Sequence, residues 1–200
     1  MNIAGLILAA GASQRMGQPK PLLEFEGETF LERLARILSK HTQPVVVVLG
    51  FDAEVVLRRV GEPAGVVFVQ NPHPERGQLS SMQLGLQALP DNVQAVLFTP
   101  VDHAPITENT VAALVAAFRD SGGSHPLVIP RWQGRRGHPV CMARELFADI
   151  LGLPESEAAH HVIRAHQHRA LYLDVDDSGV VLDVDDPVAY QQLVALRSRS

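Results

Sequence analysis

The fold turns on one stretch at the start of the chain: Ile3-Ala4-Gly5-Leu6-Ile7-Leu8-Ala9-Ala10-Gly11-Ala12-Ser13-Gln14-Arg15-Met16-Gly17-Gln18-Pro19-Lys20. The run from Ile3 to Ala10 is continuously apolar, as expected of a strand covered on both faces inside a parallel sheet. A glycine-containing loop with two cations follows it. Gly11 and Gly17 let the backbone bend and bring its N–H groups near an anion. Arg15 offers a planar fork to phosphate oxygens, and Lys20 adds a mobile point charge. The carboxyl edge of a first strand is where open α/β sheets bind ligands, and two cations on such a turn suit a polyphosphate. The loop has neither the Gly-Lys-Ser/Thr of a P-loop nor a Gly-x-Gly-x-x-Gly fingerprint. A surface turn with incidental basic residues is the plain alternative.

Outward from this loop, short apolar runs alternate with segments of helical period, the pattern of a parallel sheet covered by helices. Thr29 to Ser39 puts Phe30, Leu31, Leu34, Ile37 and Leu38 on one stripe. Strands are expected at Val45 to Leu49, Val66 to Val69 and Val93 to Phe98, with helices from Asp52 to about Val60, Leu79 to Leu89 and Thr107 to Phe118. Leu127 to Ile129 and Pro139 to Met142 read as short strands flanking a basic loop. Further on, Arg144 to Leu151 and Ala158 to His166 read as helices and Ala170 to Val175 as a strand. Asp177-Ser178-Gly179 is a turn signal leading into a strand from Val180 to Val184. A last helix starts at Pro187. Without an internal repeat or linker, residues 1–200 read as one α/β domain.

Composition narrows the function classes. The 200 residues carry a formal charge of −5, which argues against binding nucleic acid through a basic face. The single cysteine, Cys141, excludes an intramolecular disulfide scaffold and a Cys-only zinc site. It sits in an apolar run and reads as a small buried hydrophobe. No apolar run reaches the roughly 18 residues that span a bilayer, and the amino end lacks a basic leader. The expectation is a cytoplasmic protein with neither nucleic acid nor membrane as a partner.

The stretch from Leu8 to Leu23 resembles the signature of the MobA-like nucleotidyltransferases, and within them the molybdenum cofactor cytidylyltransferases. Four more blocks carry the resemblance along the chain: Gly77-Gln-Leu-Ser80-Ser81-Met-Gln-Leu-Gly-Leu86, Thr99-Pro-Val-Asp102-His-Ala-Pro105, Arg136-Gly137-His138-Pro139 and Asp183-Val-Asp185-Asp186-Pro187. The resemblance implies a Rossmann-like mixed, mostly parallel sheet with helices on both faces, of the nucleotide-diphospho-sugar transferase type. It implies nucleotide binding by Ala9, Ala10, Gly11, Ala12, Ser13, Arg15, Lys20, Ser80 and Ser81. Acceptor binding falls to Arg136, Gly137 and His138, which with Arg135 also form a compact positive patch in an acidic protein. The implied activity moves CMP from CTP to the phosphate of molybdopterin cofactor, serving a molybdenum hydroxylase apo-enzyme. A GTP-using or sugar-phosphate enzyme of the same fold, and a non-catalytic molybdopterin chaperone, are the competing readings.

Asp102 lies at a strand's carboxyl end, opposite the basic loop, so a divalent cation between them accounts for both. Mg²⁺ takes one or two protein carboxylates plus phosphate oxygens and waters, and Asp185 supplies the second carboxylate. Arg15, Lys20 and Asp102 are then the catalytic set. Asp183, Asp185 and Asp186 could alternatively be helix-start acids favoured by the macrodipole. The chain departs from the family block by having Asp186 where Thr is usual and Ala189 where Asp is usual. Ser156 to His161 likewise does not match the family's Gly-Asp-x-Gly-Ala-Arg segment. The histidines from His160 to His168 read as a polar helix face, with His161 and His168 seven apart. Ala10, where guanylyl-transferring relatives have Gly, is expected to narrow the space beside the base. Ser81 is placed to hydrogen-bond a pyrimidine edge, or else caps a helix starting at Met82.

Overall fold

In the computed structural model, which describes residues 1–197, an eight-stranded mixed sheet is flanked by helices on both faces. In chain order the elements are β1 (Ile3–Ala9), a small hairpin of β2 (Glu24–Phe25) and β3 (Glu28–Thr29), α1 (Phe30–Ser39), β4 (Val45–Leu49), α2 (Ala53–Val60), β5 (Val66–Gln70) and α3 (Gln78–Gln87). Then come β6 (Ala95–Pro100), α4 (Glu108–Asp120), β7 (Leu127–Trp132), β8 (Arg135–Arg136), β9 (Val140–Ala143), α5 (Phe147–Leu151), α6 (Ala159–Ala165), β10 (Ala170–Asp174) and α7 (Pro187–Arg197). The main sheet runs β10-β7-β9-β6-β1-β4-β5, with β8 hooked onto β7. The pairs β4–β5, β1–β4, β1–β6 and β7–β10 are parallel, whereas β9 runs antiparallel between β6 and β7.

The alternation along β1 divides the core. Ile3, Ile7 and Ala9 face a layer built on α1, α2 and α4. Ala4, Leu6 and Leu8 face a second layer built on α3, α5 and α6. Each such buried Val, Leu or Phe contributes about 1.5–3 kcal/mol, so β1 is held from both sides. Helix α1 begins sharply because Thr29 and Glu32 form a reciprocal capping box. Among the described residues, no helix is long and apolar enough to cross a membrane.

Two expectations fail beyond β9. Val180 to Val184 is not a strand: Ser178–Val181 is a 3-10 turn, and Val180 and Val184 are buried singly in the core. The cause is local. The Asp177 carboxylate accepts from the Gly179 N–H at 2.9 Å, which curls the chain, and Gly179 lies so close to Pro105 that a Cβ there would stand 2.6 Å from the Pro105 carbonyl oxygen. Secondly, Arg144 to Leu151 is a 3-10 turn followed by the short α5 rather than one helix.

Candidate active site

A cleft of about 490 Å³ opens at the carboxyl ends of β1, β4 and β6, and the loop after β1 forms its floor. That loop is folded onto itself. Ser13 adopts a left-handed conformation (φ 50°), its carbonyl accepts from the Met16 N–H at 2.9 Å, and its Oγ accepts from the Lys20 N–H at 2.9 Å. The buried Met16 side chain anchors the turn in the core. Ala9, Ala10, Gly11, Ala12, Ser13, Arg15 and Lys20 all line the cleft. Gly17 does not; its φ of 72° serves the turn, so of the two glycines only Gly11 faces the space where a ligand would lie.

The loop's two cations meet the acidic groups directly. Lys20 Nζ lies 3.0 Å from Asp102 Oδ2 and 2.5 Å from Asp185 Oδ1, and Arg15 Nη2 lies 2.6 Å from Asp185 Oδ2. Burial pulls the Lys20 ammonium down, but Asp185 and Asp102 outweigh it and hold its pKa above the ordinary lysine value. The hydrogen bond from Lys20, with Arg15 adding to it, holds the Asp185 carboxyl below the usual range. A third carboxylate, Asp183, joins them: one oxygen each of Asp102, Asp183 and Asp185 lie within 4.8 Å of one another. Desolvation and its two carboxylate neighbours push Asp183 up to about 6. Asp183 thus belongs with the site acids rather than with the helix start, and its i, i+2 spacing from Asp185 is the sequence signal for it. In extended chain, residues two apart share a face, and Val184 between them turns into the core. The helix-start role belongs to Asp186, whose Oδ1 accepts from the Ala189 N–H at 2.9 Å.

What carries these acids to the site is the segment from Asp177 to Asp185. The half of the Asp177 carboxylate not used by Gly179 accepts from the Thr107 N–H (2.8 Å), Thr107 Oγ1 (2.9 Å) and Thr110 Oγ1 (2.6 Å), fastening the segment to the start of α4. Farther along, Val184 N–H donates to the Asp102 carbonyl at 3.3 Å. The sequence marks Asp177 as a turn residue, which it is, but gives no sign of its bonds to Thr107 and Thr110.

At the other end of the cleft, Ser81 is inside α3 rather than capping a helix at Met82. Its Oγ accepts from Asn71 Nδ2 at 3.0 Å, which leaves its own proton to be donated. Ser80 is already paired, donating to the Gly77 carbonyl at 2.8 Å, and it lines a neighbouring hollow instead of the cleft. Ala10 packs against Gly50, where a Cβ would stand 2.8 Å from the Ala10 Cβ and 2.4 Å from its carbonyl oxygen. The Ala10 methyl is therefore packed against the end of β4 where it lines the cleft.

Arg136, Gly137 and His138 are not among the cleft-lining residues. Arg136 lies over the Tyr172 ring, 4.9 Å from its centroid, and donates to Gln167 Oε1 at 3.2 Å. Gly137 is required by packing, because a Cβ there would meet the Val180 carbonyl oxygen at 1.9 Å. The positive patch loses one member. Desolvation and the nearby His103 hold His138 down to about 3, so it is neutral at physiological pH. Its ring sits edge-on to Phe98 and 4.8 Å from the His103 ring. A depressed histidine pKa means the unfolded chain takes up a proton that the folded chain refuses, so stability falls as pH drops from 6.5 towards 3. His138→Gln is expected to remove this component; thermal midpoints of both proteins over that window check it.

The remaining histidines do not form one face. Helix α6 ends at Ala165 and His168 lies in a separate turn, so His161 and His168 do not align. His161 pairs with Glu157, and His166 Nε2 with Asp149 Oδ2 at 3.0 Å. Cys141 is buried in the core, and burial raises its thiol pKa. Trp132 packs against the core from a half-buried position.

Comparison with known proteins places this geometry. The nicotine blue oxidoreductase of Paenarthrobacter nicotinovorans is 30% identical over 191 residues, covering 92% of each chain. The molybdenum cofactor cytidylyltransferase of Escherichia coli is 21% identical over 182 residues, covering 91% of this chain and 90% of the relative. Two crystal structures of Rv0371c of Mycobacterium tuberculosis, the second a complex with manganese, superpose with TM-scores of 0.82 and 0.77 at 24% and 23% identity, over 98% of this chain and 99% of that one. The model of the MobA-like NTP transferase domain matches residues 5–170, from within β1 to the start of β10, and so spans the loop cations and Asp102. The chain belongs to the MobA-like NTP transferase family and is a nucleotidyltransferase.

Proposed function

We propose that the protein, acting as one domain over residues 1–200, transfers CMP from CTP to the phosphate of molybdopterin cofactor and releases pyrophosphate. The observation that carries this is the contact of Arg15 and Lys20 with the Asp102–Asp185 carboxylates at one end of an otherwise uncharged cleft. An acceptor phosphate oxygen attacks the α-phosphorus in line; the new P–O bond forms as the bond to the β-phosphate oxygen breaks. Phosphoryl transfer of this kind depends on positioning and charge neutralisation rather than covalent work by the protein. Lys20 and Arg15 can turn from the carboxylates to the triphosphate with small movements of long side chains. An acceptor phosphate is already ionised, so no general base is needed.

Three clustered carboxylates, with no sulfur or imidazole donor among them, are a hard-oxygen set that suits Mg²⁺ or Mn²⁺. Asp102 and Asp185, with Asp183 beside them, would hold Mg²⁺, whose charge would stabilise the transferred phosphoryl group. Support for a metal comes also from the manganese complex of the mycobacterial relative. The oxidoreductase name of the Paenarthrobacter relative suggests a second activity on this scaffold. Three clustered carboxylates beside two phosphate-directed cations are the set that nucleotidyl transfer calls for, with a cation to neutralise the transferred phosphoryl group, and this favours transfer over the second reading. Arg136 is left as the acceptor-side cation, reaching the acceptor from the β7–β8 hairpin outside the cleft. A molybdenum hydroxylase apo-enzyme is the expected recipient of the product.

The choice of base rests on Ser81. Its free hydroxyl proton suits the acceptor edge of cytosine, whereas the Ala10 methyl is packed on Gly50. Wild-type protein is expected to favour CTP over GTP in kcat/KM by about tenfold or more. Ser81→Ala should narrow that ratio more than Ala10→Gly does. A matrix of four nucleoside triphosphates against molybdopterin and sugar phosphates, scored by pyrophosphate release, tests the whole reading. A preference for GTP overturns the cytidylyl assignment, and absence of release with any pair overturns the transfer itself.

A further inference from the structure

We propose that Phe51 is the platform on which the nucleobase stacks, an inference that rests on the nucleotide-transfer reading above. The sheet order supplies the first step. Strands β5, β4, β1 and β6 are consecutive neighbours, so the loops at their carboxyl ends lie side by side along the cleft. The charged side chains lining it are Arg15, Lys20, Asp102 and Asp185, from the segments after β1 and β6 and from the carboxy-terminal acidic block. The end over β4 and β5 is lined by Phe51, Pro74, Gly77 and Ser81, with no charge among them. A nucleotide whose triphosphate lies at the charged end must put its base at the other.

Phe51 is unlike the chain's other aromatic residues. Phe25, Phe30, Phe98, Phe118 and Phe147 are buried, whereas Phe51 is 54% exposed at the wall of the cleft. A single exposed aromatic needs no explanation by itself, but this one has a fixed backbone. The Ala53 N–H donates to the Gly50 carbonyl at 3.2 Å, closing a tight turn with Phe51 at its tip. Gly50 behind it is packed onto Ala10 of the phosphate-binding loop. The ring is thus carried at a set distance from the loop that takes the phosphates. Gly77, which also lines the cleft, holds a φ of 87°, and a Cβ built there would meet nothing within 4 Å, so the space beside it is open.

Stacking tolerates every base, because each has a π-face. The division of labour follows: Phe51 supplies affinity common to all four nucleotides, and Ser81 supplies the choice among them. The experiment is calorimetric titration of CTP and of inorganic tripolyphosphate, a probe with the phosphates but no base, into wild type, Phe51→Ala and Phe51→Trp. Phe51→Ala should weaken CTP about tenfold and leave tripolyphosphate unchanged. Phe51→Trp should restore CTP binding, with quenching of the new indole fluorescence. CTP affinity in Phe51→Ala equal to wild type overturns the stacking role alone, as does an equal loss for tripolyphosphate. Wild-type protein that binds tripolyphosphate no more weakly than CTP also overturns it. Failure of wild type to bind CTP at all defeats the nucleotide reading, and this assignment with it.

Discussion

Replacing Asp102 with alanine is expected to lower turnover by about two decades or more, on the order of 3 kcal/mol, while the protein stays folded. The carboxylate sits on a turn after β6, 19% exposed, and its side-chain partner is Lys20 at 3.0 Å. Losing it strands no buried charge, because Lys20 keeps Asp185 at 2.5 Å. The effect on stability is therefore small, as for other partly solvated pairs. What disappears is one of three oxygens positioned to hold a cation, and the one supplied by the rigid sheet rather than by the carboxy-terminal segment. Pyrophosphate release gives the rate, a thermal midpoint gives the fold, and Mn²⁺ binding followed by electron paramagnetic resonance gives the site. Wild-type turnover in Asp102→Ala, or turnover indifferent to a chelator, would remove the metal assignment.

Lys20→Ala is the second large effect. Among the described residues, Lys20 is bonded to both Asp102 and Asp185, so its ammonium joins the two halves of the acidic site. Its loss is expected to raise the KM for CTP and to cut turnover by about two decades. Arg15→Ala should act in the same direction but less, since Arg15 is exposed and reaches Asp185 alone. Neither change should weaken the acceptor to the same degree, because Arg136 lies outside the cleft. Titrating each variant separately with CTP and with acceptor measures this. Equal damage to both affinities would show that one loop serves both substrates.

In the first half of the chain the strands and helices of the main sheet were legible as sequence, whereas the short β2–β3 hairpin was not. Buried parallel strands such as Val45–Leu49 announce themselves as unbroken apolar runs, and the loop from Ala10 to Lys20 declares its chemistry by charge. Ser13 in a left-handed conformation was not legible, since only the closed loop shows that its oxygen is needed for the Lys20 N–H. Later residues were harder because their reasons are tertiary. Val180 to Val184 alternates like a strand, yet Asp177 bonds the preceding turn to α4 and removes it from any ladder. His138 reads as a cation until the neighbouring His103 ring and loss of solvent are known. Phe51 looked like an ordinary residue between a strand and a helix, because exposure is a property of the folded surface and not of the letter.

The carboxylate of Asp177, which fastens the last stretch of chain to α4, has a consequence for synthesis. The ribosome makes the sheet strands β1, β4, β5 and β6 first, and with them the loop that offers Arg15 and Lys20, although its Met16 anchor lies in a core layer that Val180 and Val184 complete. Asp183 and Asp185 emerge only after β10 and the turn at Asp177 have been made. A nascent chain therefore carries the two loop cations well before it owns the carboxylate of Asp185 that pairs with both. The charge cluster at the head of the sheet is thus the last part of this molecule to be completed, although half of it is encoded in the first twenty residues.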